Sequence, residues 1–251
     1  MTKLGVYVCS SKSPVFIRSC IAQIVLQSKK PDCIAIHQNG LLSNWDWAFS
    51  DIIPSSIEVY SRHTKGIVKE PFFYLTPLKA LYVMGCTHFA KVDDDDIFYS
   101  NHLETLFSYF NQQGQATCDL EYKTEPDIVT PKYGDVLEPK FPRFKNIDWF
   151  FNPTKAMSDS VMFNRRFAEA YIDLLSKGGN ETSGPWDDCI MGEVIREGGF
   201  NVMRPEHDAT AVYVINGENT SGDLRGNVGY RPQREAIIKE RMSHLLKKEG
   251  N

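Results

Sequence analysis

The chain has 251 residues, of which 42% are hydrophobic and 24% charged. That suits one large soluble domain, or a domain with a tail, on the usual scale of roughly 100–200 residues per domain. Its 28 basic and 32 acidic side chains leave a formal charge of −4, which argues against a general nucleic-acid binder with its basic excess.

Leu4-Gly-Val-Tyr-Val-Cys9 is a continuous apolar run of strand length, the pattern of a strand buried on both faces. Ser13-Pro14 reads as the cap and first residue of a helix with Ile17, Cys20, Ile21 and Ile24 as its inner stripe. Pro31-Asp32 breaks the chain before a second strand, Cys33-Ile-Ala-Ile36, which runs into the turn signal Gln38-Asn39-Gly40. A weaker strand is expected at Ile57-Glu-Val-Tyr60. Thr76-Pro77 should then open a helix that turns Leu78, Leu81 and Tyr82 inward and stops at Gly85. His88-Phe-Ala-Lys-Val92 makes a fourth strand, and four consecutive aspartates, Asp93–Asp96, begin at its carboxyl end. Ser100 starts a helix with Leu103, Leu106, Phe107 and Phe110 inward, ended by Gly114. This alternation predicts an α/β fold: an open, mostly parallel, Rossmann-like central sheet with helices on both faces, in three layers α/β/α.

The second half is less regular. Residues 117–157 mix prolines, glycines and aromatics and read as strands and loops over one edge of the sheet. Residues 158–163 form a short predicted strand, followed by a helix from Asn164 with Phe167, Tyr171, Leu174 and Leu175 inward. A second helix is expected over residues 187–197, with Ile190, Met191, Val194 and Ile195 inward and Gly198-Gly199 as its stop. Residues 200–203 and 211–215 are the last predicted strands. The chain is then expected to divide into one domain over 1–215 and a tail over 216–251. The tail consists of a Gly- and Asn-rich loop carrying Arg225 and Arg231, then a basic helix with Arg241, Lys247 and Lys248.

No apolar stretch approaches the ~20 residues that span a bilayer, and Leu4–Cys9 is too short for a secretory signal. The six cysteines form no CxxC pair and lie mostly in apolar runs, so they read as reduced, buried thiols of a cytoplasmic protein. The sequons at Asn180 and Asn219 read as chance matches. The short basic C-terminal helix leaves room for peripheral membrane contact, although solvation is the simpler account.

Charge runs are usually solvated faces, but Asp93–Asp96 follows a strand whose carboxyl end lies where open α/β sheets bind ligands. Carboxylates crowded there repel one another, and a hard divalent cation such as Mg²⁺ or Mn²⁺ is the simplest compensation. Such an ion would bring the formal charge to about −2. An EF-hand is excluded, because Ile97 and Phe98 stand where that loop needs a polar ligand and a glycine. A second acidic pair, Asp187-Asp188, opens a helix after Gly184-Pro185-Trp186. One carboxylate suffices as an N-cap, which leaves the other as a candidate general base. His207 follows a strand and an Arg204-Pro205 turn, and alone reads as a structural histidine more readily than as a metal ligand.

The order of these parts resembles a GT-A-fold glycosyltransferase of the family 2 type, which uses nucleotide-diphosphate sugars. Lys91-Val-Asp-Asp-Asp-Asp-Ile97 looks like the family's strand-end segment with its DxD motif. Residues 186–200, starting Trp186-Asp-Asp, are similar to its acidic pair followed by a helix, a glycine and a strand. The match covers about residues 4 to 215 as an order of elements. The resemblance implies that Asp93 and Asp95 are the outer acids of the DxD. Asp93 then faces the ribose side, and Asp95 ligates a metal bridging the diphosphate. Asp94 or Asp96 can take either role, because four aspartates leave the register open. Ser10, Gln38 and Asn39 occupy the strand exits where the family holds the nucleotide base, with an amide pair where the family often has an acid.

Further along, Asp188 matches the catalytic base, Asp187 the acid beside it, and His207 a metal-binding histidine. Trp186 offers a face for an acceptor sugar, and Arg225 and Arg231 could close over the diphosphate. The implied activity is transfer of a sugar, from a UDP-sugar by preference, to a hydroxyl of a glycan or glycoconjugate, with inversion. A nucleotide sugar and an acceptor glycan are then the partners, with no nucleic acid. The alternatives are a retaining transferase, a sugar nucleotidyltransferase, or a non-catalytic cation- or glycan-binding module. The turn Ser10-Ser11-Lys12-Ser13 lacks the glycines of a nucleotidyltransferase phosphate loop.

Overall fold

Strand β1 (Leu4–Ser10) is buried along its whole length, as its unbroken apolar run requires, and lies inside the sheet between two parallel neighbours. In the computed structural model, residues 2–10, 14–40, 43–65, 72–110, 125–131, 133–137, 160–177, 187–203 and 210–214 are described. Within these, β1 pairs in parallel with β2 (Cys33–Asn39) on one side and β4 (His88–Asp93) on the other. Strand β3 (Glu58–Thr64) adds in parallel outside β2. The chain thus winds outward from β1 to β3 and then crosses back to β4 on the opposite flank of β1. Beyond β4 come β8 (Met162–Asn164), antiparallel to its neighbours, then β6 (Ile128–Val129) and β9 (Val202–Met203). The sheet order is β3-β2-β1-β4-β8-β6-β9. A smaller sheet, β5-β10-β7, joins β5 (Ile97–Phe98), β10 (Ala211–Val214) and β7 (Tyr133–Leu137).

Helices α1 (Pro14–Val25) and α3 (His102–Ser108) cover one face. There Ile17, Cys20, Ile21, Ile24, Leu103, Leu106 and Phe107 pack with Val6, Val8, Ile34, Ile36, Ala90 and Val92 of the strands. On the other face lie α2 (Phe72–Val83), α4 (Arg165–Ser176) and α5 (Asp187–Gly198). Their Leu78, Leu81, Phe167, Tyr171, Leu175, Ile190 and Met191 meet Tyr7, Ala35, Phe89 and Phe163. Each fully buried aliphatic side chain contributes roughly 1.5–3 kcal/mol, so the inward stripes of the helices on both faces account for the three-layer arrangement. Gly5 in β1 lets α2 approach: a Cβ there would lie 2.7 Å from Cys86 Sγ and 2.9 Å from Leu81 Cδ1. Cys9, Cys20, Cys33 and Cys86 are buried free thiols; Cys118 and the Cys189 side chain lie outside the described residues.

Several local expectations are corrected. Pro77 does not open α2 but sits inside it. Proline has no N–H to bond the carbonyl four residues back, which is that of Phe73. That carbonyl instead accepts from His37 Nδ1 at 2.8 Å and Cys9 Sγ at 3.6 Å. The missing helical bond is thereby converted into a tie between α2 and the ends of β1 and β2. Helix α3 begins at His102, after Asn101, rather than at Ser100. Within 117–157, Ile128–Val129 is not laid over the sheet edge but is a strand between β8 and β9. The helix expected from Asn164 starts at Arg165, and Asn164 is its cap, its side chain accepting from Phe167 N at 3.0 Å. Gly85 and Gly199 stop their helices in the left-handed region, at φ 83° and 59°.

Candidate functional site

The four parallel strands point the same way, so their carboxyl ends form one rim. Between β1 and β4 the winding direction reverses, and it is outside such a reversal that open α/β sheets form a ligand crevice. The residues lining this reversal are Ser10, the last of β1, and Asp93, the last of β4. Ser10 Oγ donates to Asp94 Oδ2 at 2.6 Å, both groups being buried. The acid run turns tightly, with Asp96 N donating to Asp93 O at 3.4 Å. Asp93 keeps a quarter of its side chain exposed, whereas Asp94, Asp95 and Asp96 are only 6%, 7% and 2% exposed.

Buried carboxylates are costly unless hydrogen bonds or cations compensate them. Part of the compensation is Lys91, a fully buried lysine that the sequence reading missed. Its Nζ lies 3.9 Å from Asp93 Oδ1 and 4.1 Å from the centre of the Tyr74 ring of α2. The negative field is felt by the buried Cys20 thiol on α1, which is pushed well up, first by burial and then by Asp94, Asp93, Asp95 and Asp96.

Along the rim, Gln38 is completely buried and its amide is engaged inside the protein. Nε2 donates to Asp46 Oδ1 at 2.7 Å, Asn44 Oδ1 at 3.1 Å and Ser61 Oγ at 3.2 Å, while Oε1 accepts from Trp45 N at 2.6 Å. Gln38 thus folds the 44–46 loop back over the end of β2 and brings a carboxylate, Asp46, to the strand exit. Ser61 Oγ and Asn44 Nδ2 donate to Asp46 as well, at 2.6 and 2.8 Å. No local pattern in the sequence marks Asp46, since the pairing is made across a loop and a neighbouring strand. Asn39 Oδ1 accepts from Thr64 Oγ1 at 3.3 Å. His37, behind them, is held below its usual pKa by burial, against the opposing hydrogen bond to the Phe73 carbonyl.

The second sheet brings a distant part of the chain to the acid run. Val212 pairs with Ile97 and Ala211 with Phe98. Tyr99 N donates to Thr210 O at 2.9 Å, and His102 Nδ1 lies 3.0 Å from Thr210 Oγ1. Thr210, three residues after His207, is therefore fixed beside the residues that follow Asp96. Asp187 begins α5, with Ile190 and Met191 buried against the same face as α4. The side chains of Asp187 and Asp188, together with Trp186, His207, Arg225 and Arg231, lie outside the described residues. Among the described residues no three His, Cys, Asp or Glu side chains converge as a metal cage. The donors at the rim are carboxylate oxygens, the type that hard divalent cations take, and they are already gathered at one strand end.

No protein-family model matches the chain, and no curated protein matches it by sequence. Solved structures do match. S. aureus TarS 1-349 superposes with a TM-score of 0.59 at 11% identity, over 85% of this chain and 60% of that one. A longer structure of S. aureus TarS gives 0.57 at 11% identity, over 85% and 37% of the two chains. The mannosyltransferase PcManGT from Pyrobaculum calidifontis, in complex with GDP-Man and Mn²⁺, gives 0.56 at 14% identity, over 93% and 61%. The chain thus spans less than two thirds of the length of each. At such identity the likeness concerns the fold, which is a three-layer α/β/α, GT-A-like fold.

Proposed function

We propose that the chain is a metal-dependent glycosyltransferase, moving a sugar from a nucleotide-diphosphate donor to a hydroxyl of a glycan or glycoconjugate with inversion. The observation that carries the reading is the burial of three adjacent carboxylates at the carboxyl end of β4, beside the strand reversal of a GT-A-like fold. A neighbour in that fold holds GDP-Man and Mn²⁺. Burying Asp94, Asp95 and Asp96 together is hard to reconcile with an acidic loop kept only for solubility, since like charges at low exposure destabilise the fold.

In this reading Asp93 and Asp95, with His207, hold Mn²⁺ or Mg²⁺, and Asp94 stays with Ser10. A cation held there would supply Lewis-acid stabilisation for the negative charge of the departing diphosphate. Asp188 takes the proton from the acceptor hydroxyl, which attacks the anomeric carbon opposite the leaving group. Asp187 is the acid next to it in the chain, and Trp186 offers an apolar face for the acceptor sugar. Arg225 and Arg231 bind the diphosphate from the loop after residue 215. Ser10, Asn39 and the Gln38-held loop border the nucleotide. The transferase domain covers 1–215 and 216–251 is its appendage. Among the described residues no helix is long and apolar enough to cross a membrane, and the four buried free thiols accord with a cytoplasmic location.

Calorimetric titration of UDP-, GDP- and dTDP-sugars with and without Mn²⁺ tests the reading. Binding is expected for one nucleotide, UDP in first place, and only with the metal; Asp95→Ala abolishes it while the melting temperature is kept. Equal donor and metal binding by Asp95→Ala would refute the site. NMR of the product's anomeric configuration tests inversion, and Asp188→Asn is expected to retain donor binding but lose transfer.

A further inference from the structure

We infer that Gln23 and Gln27 are positioning residues for the acidic run, holding the backbone that follows it so that Asp95 and Asp96 keep one orientation. The inference rests on the proposed metal site. After Asp93 the chain leaves the main sheet, and only the two-residue β5 interrupts the path to α3. Its backbone groups must find other partners. Two glutamines supply them from α1: Gln23 in its last turn and Gln27 just past its end, only 4% and 2% exposed.

Gln23 Oε1 accepts from Phe98 N at 2.7 Å, and its Nε2 donates to Asp96 O at 3.3 Å. Gln27 Oε1 accepts from Leu103 N at 2.9 Å, while Nε2 donates to Tyr99 O at 2.9 Å and Gln23 O at 3.1 Å. Four backbone groups between residues 96 and 103 are thus bound by two side chains one helical turn apart. These amides sit beside the apolar stripe of Ile17, Ile21 and Ile24. A leucine or methionine would suit that stripe better unless the amides were needed. Buried amides are retained where both ends are paired, and here both ends of each are. Gln23 grips the carbonyl of an aspartate in the run itself, whereas Gln27 grips groups three to seven residues further on. Asp96 directly follows the proposed ligand Asp95, and a site whose ligands lose such outer support loses metal affinity, even though the supporting contacts never touch the ion.

The two glutamines should therefore separate stability from site geometry. Gln23→Met and Gln27→Met keep length and remove the amide. Both are expected to lower the melting temperature by similar amounts. In titrations of UDP (or GDP, if the donor panel selects it) with Mn²⁺, Gln23→Met is expected to bind about tenfold more weakly and Gln27→Met within roughly threefold of wild type. An unchanged affinity in Gln23→Met, or losses in both variants that simply follow their melting temperatures, overturns the positioning role. If Gln23→Met does not fold, Gln23→Glu, which keeps the acceptor for Phe98 N and removes the donor to Asp96 O, is read by the same criterion. Wild-type protein without Mn²⁺-dependent nucleotide binding overturns the proposed site and this inference together. Wild-type binding with an intact Gln23 variant overturns the inference alone.

Discussion

His102 makes the stability of this fold depend on pH in a direction that can be worked out beforehand. It is the first residue of α3, 1% exposed, with its ring 5.0 Å from that of Phe98 and Nδ1 beside Thr210 Oγ1. Burial pushes its pKa from 6.5 down to about 3, only partly opposed by hydrogen bonding to the backbone of Thr210 and Ser160. The unfolded chain takes up the proton near pH 6.5 and the folded one not until about pH 3, so the stability present above 6.5 is lost as the pH falls between the two. The slope is about 1.4 kcal/mol per pH unit. From pH 6.5 to 5.0 this amounts to about 2 kcal/mol, or a fall of about 4–8 °C in melting temperature for a chain of this size. His102→Gln removes the titration and keeps a polar group facing Thr210. Melting curves of both proteins at pH 7.5 and 5.0 read the difference. His37 and His88, also held low by burial, contribute to both and cancel. Wild type should lose more than the variant by that margin, and equal losses would refute the assignment of a buried neutral imidazole at this place.

Gly5→Ala is expected to destabilise by about 1–3 kcal/mol through overpacking against Cys86 and Leu81, more than the ~0.5–1 kcal/mol gained by removing a strand glycine. Urea denaturation of Gly5→Ala and of Gly5→Ala with Cys86→Ala checks this, with part of the loss recovered in the double variant; a stabilised single variant would show that α2 does not press on β1 at this point. Ser10→Ala removes a short hydrogen bond to the buried Asp94 carboxylate, and should cost about 1.5–3 kcal/mol. Unchanged stability would mean that Ser10 and Asp94 do not bridge the reversal between β1 and β4.

Much of the α/β framework is legible from local pattern. The apolar run over Leu4–Cys9 is a strand buried on both faces, and Ile17, Cys20, Ile21 and Ile24 are all inward. Asn164 caps α4. These succeed because period and capping depend on residues a few positions apart. The same locality misled the reading at Thr76-Pro77. A proline after a threonine is a sound helix start, but the bond lost inside α2 is replaced by His37 and Cys9, from strands that adjoin α2 only in the folded chain.

Within the candidate site the division is similar. The four aspartates and their place after a strand are visible in the sequence, because strand ends and charge runs are local features. Which of them are buried, and that Ser10 holds Asp94, depends on β1 and β4 lying side by side across a gap of some eighty residues. Gln38 illustrates the point: as a residue it is an amide at a strand exit, yet in the fold that amide is engaged by Asp46, Asn44 and Ser61. Gln23 and Gln27 stand beside an apolar stripe, and their burial has no local cause until Asp96, Phe98, Tyr99 and Leu103 are brought against them. Hydrophobic period therefore determined the layers, because burial is non-directional and repeats along the chain. Tertiary structure decided the polar contacts, because a hydrogen bond requires two particular groups within about 3 Å, and only the assembled fold provides them.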